Sequence, residues 1–106
     1  MKRVVVSLVS TTFFAAFILS IPAHAATKTQ TFVMPKVVGM VLQDAQDLLQ
    51  AKGSYLMDQQ DASGRGRMQI LDRNWRVCRQ NPAPGKKVPI TTIVVLASVK
   101  LSERCP

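Results

Sequence analysis

An apolar run near the amino terminus limits how much of this chain can fold. Lys2 and Arg3 precede it, Val4–Ile21 is almost wholly apolar, and the small-x-small motif "AHA" ends at Ala25. This order is typical of a secretory signal peptide that is cleaved after Ala25. An uncleaved anchor is the alternative, because the eighteen positions of the run approach the minimum for spanning a bilayer.

Cleavage at this point leaves one small domain. We expect residues 1–25 to be the signal peptide, residues 26–31 a flexible leader and residues 32–106 one domain with a tethered tail. A domain of this size buries a limited share of its surface and has a thin margin of stability. Cys78 and Cys105 form the even pair that an oxidising compartment joins as a disulfide. Closing that loop contributes about 3.5 kcal/mol in the loop-entropy account.

The sequence offers little support for catalysis or metal binding. The only histidine is His24, in the segment predicted to be removed, so no Cys–His pair or Cys/His zinc set can form. The neighbouring acids Asp44 and Asp47 fall on a helix face that we expect to be solvated, not in a cleft. We therefore expect a protein that is not an enzyme, with no catalytic residue, no cofactor and no metal site.

The charge balance indicates anionic partners. After residue 25 the chain keeps twelve of its 14 Lys and Arg residues against six acids, a net charge of +6. Outside a cell this charge favours wall polymers, membrane surfaces or nucleic acid, although it also simply keeps a small protein soluble. Nucleic acid ranks behind the others, because the basic residues are not interleaved with aromatics beyond one Trp.

Hydrophobic periodicity predicts one helix among several strands. Apolar side chains recur at three- and four-residue spacing from Leu42 to Leu49, which predicts a helix from Met40 to Lys52. Gly53 then supplies the left-handed residue that ends many helices. Strands are predicted over residues 55–59, 68–71, 75–80 and 90–99, with a Gly-punctuated loop over 62–67 and a turn over 72–74.

A basic cluster around the only tryptophan is the candidate ligand-binding surface. It comprises Arg73, Trp75, Arg76 and Arg79. An indole can stack on a sugar, and a guanidinium holds a carboxylate or phosphate with two parallel hydrogen bonds. The alternative is that Trp75 packs in the core and leaves the arginines as a solvated edge. Strand alternation predicts Arg73 and Arg79 on the side of Trp75, with Arg76 and Cys78 on the other.

Three stretches together resemble the PASTA domain family. "VMPKVVGMVLQDAQDLLQAKG" (33–53) is similar to the family's opening pattern, "VCRQNPAPGKKV" (77–88) to its V-x-x-Q-x-P-x-x-G-x-x-V signature, and "TTIVVLASV" (91–99) to its closing strand. The resemblance implies an α+β fold in which one helix packs on a three-stranded sheet, here with the added Cys78–Cys105 bridge. That Cys pair resembles a small secreted actinobacterial variety of the family.

The resemblance also implies a function. Such domains occur outside bacterial cells in wall-sensing kinases and penicillin-binding proteins, so a secreted, wall-associated, non-catalytic module that binds peptidoglycan or another anionic wall polymer is expected. The alternative is a secreted protein-interaction or inhibitor module, which an exposed apolar patch around Tyr55, Met57 or Trp75 would distinguish. We expect no nucleic-acid partner and no stable membrane anchor after cleavage.

Overall fold

A computed structural model describes residues 29–106, so the predicted signal peptide lies outside the described residues. The elements in chain order are β1 (Thr31–Val33), α1 (Leu42–Ala51), β2 (Met57–Asp61), a 3₁₀ turn (Asp72–Asn74), β3 (Trp75–Asn81), β4 (Lys87–Pro89) and β5 (Val94–Lys100). The first strand begins at Thr31, which is the last residue of the predicted leader.

The start of α1 is anchored by β3 instead of by a capping side chain. Val41 at the N-cap makes no side-chain hydrogen bond, as its apolar side chain implies. Gly39 donates its N–H to the carbonyl of Val77 at 2.8 Å, and Val77 donates its own to the carbonyl of Met40 at 2.9 Å. Helix α1 therefore starts at Leu42, two residues later than predicted, directly after the residues that bond to the main chain of β3.

The end of α1 is the Gly-terminated turn that the sequence predicts. Gly53 adopts a φ of 89°, in the left-handed region. Its N–H bonds to the carbonyl of Gln50 at 2.9 Å, while the N–H of Ser54 bonds to the carbonyl of Leu49 at 3.0 Å. These two bonds form a Schellman motif, which satisfies carbonyls that the helix leaves free.

The main sheet has three strands in the order β2-β5-β3. The central strand β5 runs parallel to β2 and antiparallel to β3. The α+β prediction of one helix with a three-stranded sheet and a disulfide is therefore confirmed. A second sheet, in which β1 pairs antiparallel with β4, was not predicted. Its strands are three residues long, too short to show an alternating pattern.

One predicted strand, over residues 68–71, is wrong, and the last predicted strand starts too early. Residues 68–71 form a loop instead of a strand, with Met68 80% and Ile70 84% exposed. A strand needs a neighbour to pair with, and Ile70 instead donates its N–H locally, to the carbonyl of Met68 at 3.1 Å. Residues 90–93 form a turn in which Thr92 donates to the carbonyl of Pro89 at 3.0 Å, so the last strand begins later than predicted.

The core lies between α1, the main sheet and the amino-terminal segment. Its buried apolar side chains are Phe32, Met34, Val37, Leu42, Ala45, Leu49, Trp75, Val77, Val94 and Leu96. A smaller cluster of Ala62, Ala97 and Val99 has Cys78 packed against it. The Cys78–Cys105 disulfide is present as predicted, and the tail that follows β5 is thereby tied back to β3.

The amide of Gln80 joins the two halves of the sequence pattern. Its Oε1 accepts the N–H groups of Val37 at 2.8 Å and Val38 at 3.2 Å, and its Nε2 donates to the carbonyls of Pro35 at 3.0 Å and Pro82 at 3.1 Å. One side chain therefore satisfies four main-chain groups on segments more than forty residues apart in sequence. This explains why a Gln stands near the end of β3, just before the Pro-Gly turn.

Replacing Gln80 with Ala should destabilise the fold by about 3 kcal/mol, because it leaves several main-chain groups near the core without partners. Urea denaturation should show a lower midpoint with an unchanged m-value. The matched control is Gln43→Ala, whose exposed amide bonds only to Asp47 at 3.0 Å and should contribute no more than about 0.5 kcal/mol. Equal midpoints for the two variants would contradict this role of Gln80.

Candidate functional site

Trp75, the aromatic member of the predicted cluster, lies in the core. It is 3% exposed, and the guanidinium of Arg67 lies 5.0 Å from the centroid of its ring. That distance is within the range of a cation–π contact. Trp75 therefore has no open ring face for stacking on a sugar, and of the two interpretations of this residue the structure supports the core one.

A β-bulge at Cys78 rearranges the arginines of β3. The register of β3 on β5 shifts between Val77 and Arg79, so Cys78 is an extra residue in the ladder. The bulge reverses the alternation and places Arg79 on the same face as Arg76, away from Trp75. The prediction that Arg79 shares the side of Trp75 is wrong, because one extra residue moves every later side chain to the opposite face.

Arg76 and Arg79 lie on what we call the outer face, the side of the main sheet that carries Ala97 and Val99. Arg76 is half-buried and donates from Nη2 to the main-chain carbonyl of Glu103 at 2.7 Å. Its guanidinium is therefore already hydrogen-bonded to the tail. Arg79 is exposed and, among residues 29–106, forms no ion pair. It borders a recess of about 200 Å³ lined also by Gln60, Asn81, Val95 and Ala97.

Arg73 lies apart from this face. It belongs to the 3₁₀ turn, is exposed, and lines a shallow recess with Gln43 and Asp47 of α1. The structure therefore brings together two of the four predicted site residues, Arg76 and Arg79. It separates them from Arg73 and from the buried Trp75.

A groove between β2 and the loop that follows it was missed by sequence reasoning. It is an open groove with a volume of about 630 Å³, lined by the polar residues Gln59, Gln60, Arg67 and Gln69 and by apolar Met68 and Ile70. The Nε2 of Gln69 is buried without a hydrogen-bond partner among the described residues. Gln60 also lines the recess beside Arg79, so the two depressions adjoin. The only local signal was "GRGR", whose Gly64 and Gly66 adopt left-handed φ values of 78° and 70°.

Arg67 ties this loop to β2 and to the tail. Its Nε donates to Asp61 Oδ2 at 2.8 Å and its Nη2 to Glu103 Oε1 at 2.9 Å. The side chain of Asp61 is 1% exposed and also accepts the N–H of Ser63 at 2.9 Å.

Hydrogen bonds from Arg67, and then from Ser63, hold the pKa of Asp61 well below its ordinary value of 3.8. The same guanidinium lowers the pKa of Glu103, and both carboxylates raise the pKa of Arg67.

These shifts predict a loss of stability in acid. The pKa values of Asp61 and Glu103 are lower in the folded than in the unfolded chain. Each carboxylate thus contributes stability that is present above its ordinary pKa and is lost as pH falls toward the folded value. The melting temperature should be level near neutrality and fall below about pH 5. Asp61→Asn should melt lower at pH 7 and show a flatter acid profile.

The matched control for this acid profile is Asp44→Asn, an exposed acid in the first turn of α1. Its melting temperature should follow the wild-type profile in shape. Calorimetry across the acid range measures all three proteins under one set of conditions. A wild-type profile that stays level through acid, or one that Asp61→Asn leaves unchanged in shape, would contradict the network.

The structure is a small α+β domain that carries a recess and an adjoining groove. Within residues 29–106, no group of three or more His, Cys, Asp or Glu side chains could hold a metal ion. In the same part of the chain, no helix is long and apolar enough to cross a membrane. The polar groups that line the recess and the groove are mostly amides and arginines, which bind and orient ligands through hydrogen bonds.

The chain belongs to the PASTA domain family. The family profile described as PASTA domain matches residues 32–99, which is most of the described chain and ends before the Cys105 tail. PASTA is a binding domain rather than a catalytic one, commonly for peptidoglycan or β-lactams, and is typically extracellular. A search of curated proteins finds no significant match.

Proposed function

We propose that this protein is a secreted, non-catalytic module that binds cell-wall peptidoglycan, or another anionic wall polymer, through its outer face. The observation that carries the proposal is the position of Arg79. It is an exposed cation without an ion pair among the described residues, at the rim of a recess that also contains the polar side chains Gln60 and Asn81. A guanidinium of this kind can hold a carboxylate or phosphate with two parallel hydrogen bonds.

The composition of the outer face suits the chemistry of a wall fragment. Stem peptides and N-acetylated sugars present carboxylates together with many neutral amides and hydroxyls. Arg79 would bind the carboxylate, while Gln60 and Asn81 would hydrogen-bond to neutral groups, since an amide both donates and accepts. Val95 and Ala97 form the apolar floor of the recess and would exclude water from these contacts.

The net charge and the predicted signal peptide support the same proposal. The chain after residue 25 has a net charge of +6, which attracts anionic polymers over a longer range than any single contact. Removal of residues 1–25 as a signal peptide would release the domain outside the membrane, where wall polymers lie. The protein would then be extracellular and held at the wall by its ligand.

A second candidate is the secreted protein-interaction module. It is favoured by exposed apolar side chains at one end of the main sheet, where Tyr55 is 68%, Leu56 50% and Ile93 61% exposed. Leu56 and Ile93 immediately precede the paired residues Met57 and Val94, so they lie side by side just before the adjacent strands β2 and β5. This candidate predicts capture of one secreted protein that Tyr55→Ser/Ile93→Ser abolishes, without retention on the wall.

Retention on purified, insoluble peptidoglycan tests the wall proposal. The wild-type protein should co-sediment at low ionic strength and be released as salt rises, because screening acts on exposed charges. Arg79→Gln should bind about tenfold more weakly, since one charge-assisted hydrogen bond contributes about 1.5 kcal/mol. Binding isotherms at constant salt measure the difference.

Arg73→Gln is the matched control, because it removes the same charge from the recess beside α1 and leaves the outer face intact. It should retain most of the affinity of the wild type and lose only a share of the salt-dependent attraction. If wild-type protein is not retained even at low salt, the wall proposal fails. If the two variants weaken equally, the net charge binds the polymer and the outer face is not the site.

A further inference from the structure

The two carboxylates that Arg67 binds differ in how they can be reached. Asp61 is 1% exposed and is held by the loop as well as by Arg67. Glu103 is 24% exposed and belongs to the tail, outside the residues that the family pattern covers. The inner carboxylate is therefore part of the fold, whereas the outer one occupies a position that solvent can enter.

The groups around the Glu103 carboxylate form a built anion site. Arg67 donates from Nη2 to Oε1 at 2.9 Å and from Nη1 to Oε2 at 3.3 Å. The N–H of Lys100 also donates to Oε1, at 3.0 Å. Nη2 of Arg65 lies 3.6 Å from Oε2, and the side chain of Arg65 is 66% exposed. Two guanidinium groups and a main-chain N–H thus converge on one carboxylate, which is how proteins hold free carboxylate ligands.

We propose that Arg65, Arg67 and the N–H of Lys100 form a carboxylate-binding site that Glu103 fills in cis, so that the tail acts as a tethered competitor for an external carboxylate. Without Glu103, Asp61 is the one carboxylate among residues 29–106 that pairs with either Arg65 or Arg67, so the site has a net positive charge. This site is distinct from Arg79 on the outer face, and its test does not depend on retention by the wall.

The groove beside β2 provides room for the rest of a ligand. Arg67 lines it together with the amides of Gln59, Gln60 and Gln69. A molecule whose carboxylate takes the place of Glu103 can extend into this groove, where Gln59, Gln60 and Gln69 supply amide side chains. The site therefore suits a small carboxylate joined to amide or hydroxyl groups better than an isolated anion.

The disulfide makes the tail an effective competitor. Cys105 is two residues beyond Glu103 and is bonded to Cys78 of β3, while Arg76 holds the main-chain carbonyl of Glu103 at 2.7 Å. A group tethered this closely competes at an effective concentration on the order of millimolar or higher. An external carboxylate therefore meets a filled site in the wild-type protein and an open one when the Glu103 side chain is removed.

Titration of ¹⁵N-labelled Glu103→Ala with sodium acetate, against sodium chloride at equal ionic strength, tests the proposal. The amide signal of Lys100 should move with acetate and saturate, with an apparent affinity at least about tenfold above that of the wild type. Glu103→Gln, whose neutral amide fills the space but lacks the charge of the carboxylate, should bind acetate more tightly than the wild type and less tightly than Glu103→Ala. Adding Arg65→Gln to Glu103→Ala should weaken acetate binding, because Arg65 has no other ion pair within residues 29–106.

A thermal unfolding curve for each variant checks that it is folded. If Glu103→Ala is not folded, Glu103→Ser is used in its place. N-Acetylmuramic acid and N-acetyl-D-alanine then take the place of acetate, and the one that binds more tightly shows whether a sugar or a peptide carries the carboxylate. The absence of a saturable change at Lys100 in the opened variant, or binding that Arg65→Gln leaves unaffected, would overturn the proposal.

Discussion

The guanidinium of Arg67 is the interaction on which the arrangement of the surface depends. It covers the ring of Trp75 at 5.0 Å while it bonds Asp61 at the end of β2 and Glu103 in the tail. An arginine can do all of this because its donors lie in one plane whose face remains free to stack on an aromatic ring. Without Arg67 the loop after β2 would lose its side-chain bonds to the tail, and the ring of Trp75 would lose the guanidinium that covers it.

This constraint divides the domain into two faces with different roles. The inner face of the main sheet packs on α1 and contains the ring of Trp75. The side chain best suited to stacking on a sugar is therefore buried in the core. The outer face keeps Arg79 free and adjoins the amide-lined groove. The proposed binding on this face would therefore rest on hydrogen bonds and charge, with small apolar side chains as the floor. A ligand with many polar groups fits such a surface better than an apolar one does.

The sequence predicted those features whose signals are local. Apolar spacing from Leu42 to Leu49 located the helix, the even cysteine pair gave the disulfide, and the Gln-x-Pro-x-x-Gly signature around Gln80 identified the family. The bulge at Cys78 has no such signal, because it depends on which residue of β5 lies opposite. The Arg67–Glu103 contact joins residues 36 apart, and only the completed fold brings them together. The face on which Arg79 lies, and the site around Glu103, therefore required the structure.

Fluorescence of the single tryptophan tests most directly the claim that Trp75 is a core residue beneath Arg67 and not a ligand contact. The account predicts blue-shifted emission that acrylamide quenches poorly, with no change when soluble wall fragments are added. Arg67→Ala should shift the emission to the red and increase quenching, because it uncovers the ring. Emission of the wild type at the position of solvent-exposed indole, or quenching of Trp75 by wall fragments, would contradict it.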